Sequence, residues 1–403
     1  MKKFREYAQI VVSNKGCRWL ENGHPWLYDS DIVETNGEYS NGDIVDVLSL
    51  KGKYLGSGFI SEKSKIRVRL LSNNANEVFD RDFFKRRITY AFQYRNSIMG
   101  DSTAYRLIFG ESDQLPGLTV DRYNDILVTQ IVSYGMEKNK EMLFDLLVEV
   151  FKENGIKIRA IYQRNDLSLR KLEGLEENKG YGYKCDDFKE EEVIIEENGI
   201  KFYVDYKEGQ KTGFFLDQKY NRYLIRDIVK NKRVLDCFTH TGSFALNAAK
   251  ANASKVTAMD ISEKAIEMAK RNARLNGLED KIDFEVGDTF DYLDKVNKKE
   301  YDVIILDPPA FTKSKDTQKN AFNGYKNINM RAMKLLPRGG FLITCSCSHF
   351  MDQQQFEEML KQASQLANVQ LKILSFTQQS KDHPILMNVS ETNYLKFYIL
   401  QVV

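Results

Sequence analysis

The sequence predicts an α/β protein with a doubly wound parallel sheet in its C-terminal half and smaller β-rich and α+β modules before it. From residue 232 onward, short apolar strands alternate with helical segments. Each of these strands ends in polar or acidic residues, which predicts a functional site along the carboxyl edge of the sheet. Before residue 72, short strands separated by glycine-containing turns favour a small β-barrel.

The first strand of the parallel sheet leads into a loop suited to binding a ligand. Val234 and Leu235 are typical of a buried strand, Asp236 ends it, and Gly242 lets the chain turn into a helix near Ser243. The N–H groups at such a helix start can face a ligand. The dinucleotide pattern G-x-G-x-x-G is absent, so the loop alone does not identify the ligand.

The strands that follow are each predicted to end at chemically useful side chains. They cover residues 255–259 before Asp260, Ile282–Val286 before Asp288, 301–306 before Asp307, and 340–344 before Cys345 and Cys347. An acidic residue at the tip of the second strand is where doubly wound folds bind the two hydroxyl groups of a ribose.

The segments DCFTHTGSF, MD, GD, LDPPAF and TCSCS, in this order, resemble those of class I S-adenosylmethionine-dependent methyltransferases. More narrowly, the chain is similar to the bacterial large-subunit ribosomal RNA cytosine-5 methyltransferases that carry an N-terminal PUA domain. KTGFFLDQ at 211–218 and RWLENGHPWLY at 18–28 support this narrower match. The resemblance implies a Rossmann-like methyltransferase sheet, preceded by a PUA-like β-barrel and a central α+β domain.

These patterns divide the chain into a PUA-like RNA-binding domain at 1–72, a central α+β domain at 73–188 and a methyltransferase domain at 189–403. Residues 171–189 are rich in Glu, Lys and Gly and are predicted to form a linker. From Val193 to Val204 the pattern predicts a hairpin with Glu197, Asn198 and Gly199 as its turn.

Four basic residues near the end of the first domain alternate with apolar residues. They are Lys63, Lys65, Arg67 and Arg69. The pattern predicts a strand with one basic face, which is either the solvated face of an edge strand or an RNA contact. The pattern alone favours neither, and the likeness to RNA-binding PUA modules favours the RNA contact.

The resemblance implies that a cysteine thiolate adds to carbon 6 of a cytosine, so that carbon 5 can accept a methyl group. Cys347 stands at the family's reactive position. Cys345, two residues earlier on the same side of an extended strand, is the rival, and either could instead be a small buried apolar residue. Asp307 is the candidate contact for ring nitrogen 3 and the exocyclic amine.

One departure from the pattern concerns the residue after the two prolines of LDPPAF. Many RNA cytosine-5 methyltransferases have a second cysteine there, whereas this chain has Ala310. The base that removes the proton from carbon 5 is therefore not assigned. His349 and Lys313 lie near the two motifs in sequence.

The resemblance also implies S-adenosylmethionine as the cofactor. The residues expected to bind it are Asp217, Arg222, Asp236, Phe238, Gly242, Asp260, Ile261, Asp288 and Asp307. Asp260 would bind the ribose, and Ile261 and Asp288 would flank the adenine. The alternatives are a helix cap for Asp217, a surface position for Arg222 and core packing for Phe238.

The composition sets limits on other classes of function. The 403 residues carry a formal net charge of +2, with 42% hydrophobic and 29% charged residues, so any RNA-binding surface must be local. Five scattered cysteines without zinc spacing favour free thiols, no metal and a reducing cytoplasm. No signal peptide or membrane span is predicted, and a homodimer is left open.

Together these observations predict an enzyme that forms 5-methylcytosine in large-subunit ribosomal RNA. One alternative keeps the fold and cofactor but methylates a base nitrogen, which needs no cysteine. The TCSCS segment argues against it. The other alternative is a non-catalytic RNA-binding assembly factor, against which Asp260, Asp307 and Cys347 argue.

Overall fold

The computed structural model describes residues 6–100, 102–311 and 318–403. The chain forms two compact units. The first contains the described residues within 1–195, 204–216 and 381–392, and the second contains those within 196–203, 217–380 and 393–403. The division into three domains at residues 72 and 188 stays a prediction.

The N-terminal part of the first unit is the expected small β module. Its elements are β1 (Gln9–Val12), α1 (Asn14–Glu21), β2 (Trp26–Tyr28), β3 (Ile32–Asn36), β4 (Ile44–Ser49), β5 (Tyr54–Ile60) and β6 (Ile66–Ser72). Its described strands pair in the order β2-β6-β5-β4-β1-β3 around a core that includes Ile10, Val47 and Val68. Ser13 begins α1 by accepting a hydrogen bond from Gly16 N.

The basic strand β6 differs from its prediction in two respects. It lies between β2 and β5, so the edge-strand interpretation is wrong. Lys63 and Lys65 are exposed and Arg67 is half-buried, but Arg69 is buried and its Nη1 lies 2.8 Å from Glu173 Oε1. Register shifts in the pairing of β6 with both neighbours break the strict alternation that the pattern assumed.

The second sheet of this unit belongs to the predicted α+β segment. Its elements are α2 (Arg81–Met99), β7 (Ala104–Phe109), β8 (Leu118–Tyr123), β9 (Ile126–Ile131), α3 (Tyr134–Lys138), α4 (Lys140–Glu153), β10 (Ala160–Asn165) and β11 (Asn178–Lys184). The described strands pair in the order β11-β10-β9-β8-β7. Helices α2 and α4 pack together through Phe92 and Phe151, whose ring centroids lie 5.1 Å apart.

The expected linker at 171–189 is wrong in part, because β11 runs through it. β11 pairs antiparallel with β10 at the edge of the sheet. Tyr181 packs against Tyr162 with a centroid distance of 5.0 Å. An edge strand takes its ladder hydrogen bonds from one neighbour and tolerates polar residues, so its composition does not distinguish it from a linker.

The remaining elements include the methyltransferase sheet. They are β12 (Val193–Glu197), β13 (Ile200–Val204), α5 (Lys219–Leu224), α6 (Arg226–Val229), β14 (Arg233–Cys237), α7 (Ser243–Lys250), β15 (Lys255–Asp260), α8 (Glu263–Leu275), β16 (Ile282–Val286), α9 (Thr289–Lys295), β17 (Val303–Leu306), α10 (Gln318–Leu335), β18 (Phe341–Ser346), α11 (Gln353–Ala367), β19 (Leu371–Thr377) and β20 (Lys396–Val402).

The large sheet confirms the predicted doubly wound fold. Its described strands pair in the order β16-β15-β14-β17-β18-β20-β19, and β14 to β18 form the predicted parallel ladder. The strand order reverses between β14 and β17, where such folds bind ligands. The sequence did not predict β19 or β20. β20 pairs antiparallel with both β18 and β19.

The predicted hairpin consists of β12 and β13. Asn198 and Gly199 form its turn with φ angles of 56° and 72°. A two-residue hairpin with a type I′ turn requires positive φ angles at both positions. Beside the turn, Glu197 accepts hydrogen bonds from Arg222 Nε at 2.6 Å and Arg222 Nη2 at 2.9 Å. Both side chains are buried, so this bidentate ion pair joins the hairpin to α5.

Replacing Glu197 with Ala should destabilise the protein by about 3–5 kcal/mol, because the buried Arg222 guanidinium would lose its carboxylate partner. Urea unfolding of both proteins would measure the change. Glu196→Ala is the matched control, since its side chain is exposed and its replacement should cost within about 0.5 kcal/mol. Equal stability of the two variants would contradict the expected role of the ion pair.

Candidate active site

Asp236 is the penultimate residue of β14 and lies beside the point where the strand order reverses. Its Oδ2 accepts hydrogen bonds from Thr239 Oγ1 at 2.5 Å and from Ala245 N at 2.9 Å. Its Oδ1 is buried and has no hydrogen-bond partner among the described residues. Burial raises the pKa of this carboxyl group to about 7, and the charges of Asp307 and Asp260 add to the rise. Within the described chain, neither a donor nor a cation therefore faces this second oxygen of Asp236.

The loop after Asp236 has an unusual backbone. Phe238, His240 and Gly242 have φ angles of 61°, 51° and 82°, all in the left-handed region. This region is costly for residues other than glycine, and such strain is concentrated at functional sites. Phe238 also packs against the core of the sheet, as the packing alternative expected. Its contact with the cofactor stays a prediction.

Asp260 ends β15, and its carboxylate is hydrogen-bonded to this loop. Its Oδ2 accepts a hydrogen bond from His240 N and its Oδ1 accepts one from Ser262 N, both at 2.9 Å. A carboxylate oxygen can accept more than one hydrogen bond, so both oxygens keep capacity for ribose hydroxyl groups. The next residue, Ile261, is 71% exposed and presents an apolar side chain at the same edge.

Asp288 has a structural role in the described chain. It is the N-cap residue of α9, and its Oδ1 accepts hydrogen bonds from Phe290 N at 2.7 Å and Asp291 N at 3.2 Å. The side chain is exposed at the end of β16. Its contact with the adenine stays a prediction.

Asp307 follows β17 on the other side of the reversal point, and polar side chains hold both of its oxygens. Gln218 Nε2 donates to its Oδ2 at 3.2 Å, and Cys345 Sγ donates to its Oδ1 at 3.0 Å. Burial raises the pKa of the Cys345 thiol well above its usual range, and the Asp307 charge and hydrogen bond raise it further. Cys345 is therefore a protonated donor that orients Asp307.

Sequence reasoning missed the residues that support this network. Gln218 Oε1 accepts a hydrogen bond from Asn221 Nδ2 at 2.7 Å, and Asn221 Oδ1 accepts one from Thr377 Oγ1 at 2.7 Å. Gln218 and Asn221 are buried. Gln218 ends the KTGFFLDQ segment and Asn221 lies just before Arg222, but the sequence predicts roles only for their charged neighbours Asp217 and Arg222.

The two cysteines of TCSCS occupy different environments. β17 and β18 are parallel neighbours, with Leu306 opposite Thr344, so Cys345 comes level with Asp307. Cys345 is 1% exposed, whereas Cys347 lies just beyond the end of β18 and is only partly buried. A nucleophile must reach its substrate, so this difference favours Cys347. Lys313 lies outside the described residues.

Asp217 and Arg222 are both buried, so the surface position considered for Arg222 is wrong. Asp217 Oδ2 accepts a hydrogen bond from Tyr394 Oη at 2.7 Å, and its main-chain oxygen accepts one from Ser380 N at 2.8 Å. Arg222 forms the ion pair with Glu197. Contacts of these two residues with the cofactor stay predictions.

The geometry fits a cationic nucleoside such as S-adenosylmethionine. Asp236 and Asp307 flank the reversal point, and the unpartnered Oδ1 of Asp236 can accept from an ammonium group or face a sulfonium centre. Asp260 and the exposed Ile261 suit a ribose and an adenine. In the part of the chain that the structure describes, no group of three or more His, Cys, Asp or Glu side chains could hold a metal ion.

This fold and site define an S-adenosylmethionine-dependent methyltransferase. The model of that family matches residues 183–384, and the model of the PUA-like domain matches residues 10–73. The crystal structure of SMU.776 in complex with S-adenosylhomocysteine has the same fold, with a TM-score of 0.83 at 22% identity over 98% of this chain and 100% of that one.

The particular family follows from two curated relatives. Ribosomal RNA large subunit methyltransferase I of Aeromonas salmonicida is 40% identical over 94% of this chain and 95% of its own length. Its counterpart from Shewanella denitrificans is 41% identical over 96% of this chain and 97% of its own length. The chain therefore belongs to the ribosomal RNA large subunit methyltransferase I family. Among the described helices, none is both long and apolar enough to cross a membrane.

S-adenosylmethionine should bind about tenfold more tightly at about pH 8 than at about pH 6, because the cation favours ionised Asp236 and the carboxyl group loses its proton on binding. Isothermal titration calorimetry in buffers of different ionisation enthalpy would measure affinity and proton release. Asp236→Asn is the control, since titration of the ligand's own amino group is common to both proteins. The same pH dependence in both would contradict the assignment.

Proposed function

We propose that this protein methylates carbon 5 of a cytosine in large-subunit ribosomal RNA through a covalent bond to Cys347. The main support is the contrast between the two thiols at the end of β18. Cys345 is buried and donates to Asp307, whereas Cys347, two residues further along the chain, is partly exposed. The names of the relatives support ribosomal RNA as the substrate.

Cys347 acts as the nucleophile in this mechanism. Its thiolate adds to carbon 6 of the cytosine, and the electrons of the carbon 5–carbon 6 double bond become available at carbon 5. Bound S-adenosylmethionine would supply the methyl group to that carbon, with cleavage of its methyl–sulfur bond and release of S-adenosylhomocysteine. Removal of the proton from carbon 5 then restores the double bond and expels the Cys347 thiolate.

Asp307 orients the base. Gln218 and Cys345 each donate to one of its oxygens, so the carboxylate has a defined direction at the end of β17. It can accept a hydrogen bond from the exocyclic amine, or from ring nitrogen 3 when that nitrogen carries a proton. Gln218 and Cys345 are positioning residues in this mechanism. The base must leave its stack to reach this site.

Cys347→Ala should lower formation of 5-methylcytosine by at least about 10³-fold, because the nucleophile is absent. Cys345→Ala removes one hydrogen bond to Asp307, worth about 1 kcal/mol, so it should lower the rate only about fivefold. Each variant is incubated with labelled S-adenosylmethionine and unmodified ribosomal RNA, and methylated nucleosides are identified by mass spectrometry. Cofactor affinity serves as the control for folding.

Other outcomes of this experiment would contradict the proposal. Full activity in both variants would point to methylation of a nitrogen, where no thiolate is needed. Loss of activity only in the Cys345 variant would exchange the roles of the two cysteines. Cofactor binding by the wild type without methyl transfer to any substrate RNA would support the assembly-factor alternative.

We also propose that Lys63 and Lys65 contact the RNA phosphates. Both are exposed in the segment just before β6, in the PUA-like domain. Arg69 is less suited to this role, because it is buried in its ion pair with Glu173. Arg67 is half-buried, and its Nη2 lies 2.6 Å from Asp29 Oδ1.

The double substitution Lys63→Ala and Lys65→Ala should weaken RNA binding and lower the slope of log affinity against log salt concentration by about 1.4, which corresponds to two phosphate contacts. Fluorescence anisotropy at several salt concentrations would measure both quantities. Lys51→Ala, which removes another exposed lysine of the same domain, is the control. An unchanged slope in the double variant would remove both residues from the RNA interface.

A further inference from the structure

Lys396 is a lysine in an uncommon position. It begins β20 and lies opposite Ser346 of β18 in the antiparallel ladder. Its side chain is only 5% exposed. Lysine is rarely buried so completely, because removing an ammonium group from water is costly unless nearby groups compensate for it. The residue therefore needs an explanation beyond packing.

The contacts of the ammonium group direct it toward the end of β18. Lys396 Nζ donates to the main-chain oxygen of Ser348 at 2.6 Å and to that of Tyr394 at 2.8 Å. Among the described residues it has no ion-pair partner, so these carbonyl oxygens compensate only part of its charge. An ammonium group carries three N–H donors, and two of them are used here.

Cys347 is the residue immediately before Ser348, and its thiol interacts electrostatically with Lys396. Burial lowers the pKa of the Lys396 ammonium to about 8, and Cys347, Asp352 and Cys345 oppose this effect in that order. The ammonium group is therefore still mainly protonated near neutral pH. A thiolate at Cys347 would supply the negative charge that this buried cation lacks.

The other titratable groups around Lys396 and Cys347 are less suited to supply a negative charge to the Lys396 ammonium group. Cys345 is a protonated thiol bound to Asp307. The pKa of Tyr325 on α10 is raised, mainly by burial, so its hydroxyl group stays neutral. Asp352 accepts a hydrogen bond from Gln355 N at the start of α11, and the ring of His349 packs against Tyr394.

We propose that Lys396 is a positioning residue for the methyl-transfer reaction, because its ammonium group holds the turn at Ser348 and keeps the Cys347 thiol ionised near neutral pH. This inference rests on the proposed role of Cys347 as the nucleophile. A nearby lysine favours the thiolate, which is the reactive form of cysteine. It does so here without touching the substrate.

The test measures how fast iodoacetamide alkylates Cys347 as a function of pH, with mass spectrometry of the Cys347 peptide separating it from the other thiols. Lys396→Gln removes the charge but keeps an N–H donor for the carbonyl groups, and Lys396→Arg keeps the charge. The midpoint for Cys347 should rise by about one unit or more in Lys396→Gln, which lowers alkylation about tenfold at pH values below both midpoints. Lys396→Arg should restore the low midpoint. Lys372→Gln on β19, an exposed position, should leave it unchanged.

Several results would overturn the inference. An unchanged midpoint in Lys396→Gln would leave the lysine with a structural role only, and so would an equally high midpoint in Lys396→Arg. If Lys396→Gln does not fold, the wild type still decides. A Cys347 midpoint at or above that of the unfolded chain shows that the lysine does not keep the thiol ionised.

The alkylation measurement needs neither RNA nor methyl donor, so it separates this inference from the proposed function. If Cys347→Ala still forms 5-methylcytosine, the proposed function fails whatever the alkylation profile shows. If Cys347→Ala is inactive while Lys396→Gln leaves the midpoint unchanged, only the role of Lys396 fails.

Discussion

The burial of the Asp236 carboxyl group, close to two other carboxyl groups, is the constraint on which the active site depends. Parallel strands bring Asp236, Asp260 and Asp307 to one edge of the sheet, and two of them flank the point where the strand order reverses. Without a ligand, backbone and side-chain donors stabilise these groups only in part, and Asp236 is driven toward its neutral form. A cationic cofactor complements the carboxyl groups at this edge of the sheet. The electrostatics of the fold therefore contribute to the affinity of the protein for that cofactor.

Identical side chains occupy different environments in this fold. Cys345 and Cys347 differ by two positions, yet the first is enclosed with Asp307 and the second lies at the end of the strand beside a buried lysine. Arg67 and Arg69 differ in the same way on β6, where one is half-exposed and the other is enclosed with Glu173. Chemistry at each position follows from the neighbours that the fold supplies.

The sequence predicted the parallel sheet well, because its buried strands are continuous apolar runs that end at polar motifs such as LDPPAF and TCSCS. It predicted β11 as a linker, since an edge strand needs few apolar residues. It also missed β20, whose run FYILQV lies far along the chain from the strands it joins. Lys396 was missed with that strand, and Gln218 and Asn221 were missed because neutral amides carry no signal of burial. Pairing between distant segments decides all of these positions.

The place of β20 in the sheet has a consequence for how the protein is made. β20 lies between β18 and β19, although it is synthesised after both. Until residues 396–402 leave the ribosome, the inner edges of β18 and β19 have no partner, and the turn that holds Cys347 has no lysine beneath it. Between the synthesis of β18 and that of β20, the nascent chain therefore carries an open sheet edge, and Lys396 is not yet in place near Cys347. On the proposed role of Lys396, the Cys347 thiol becomes reactive only when β20 is inserted between β18 and β19.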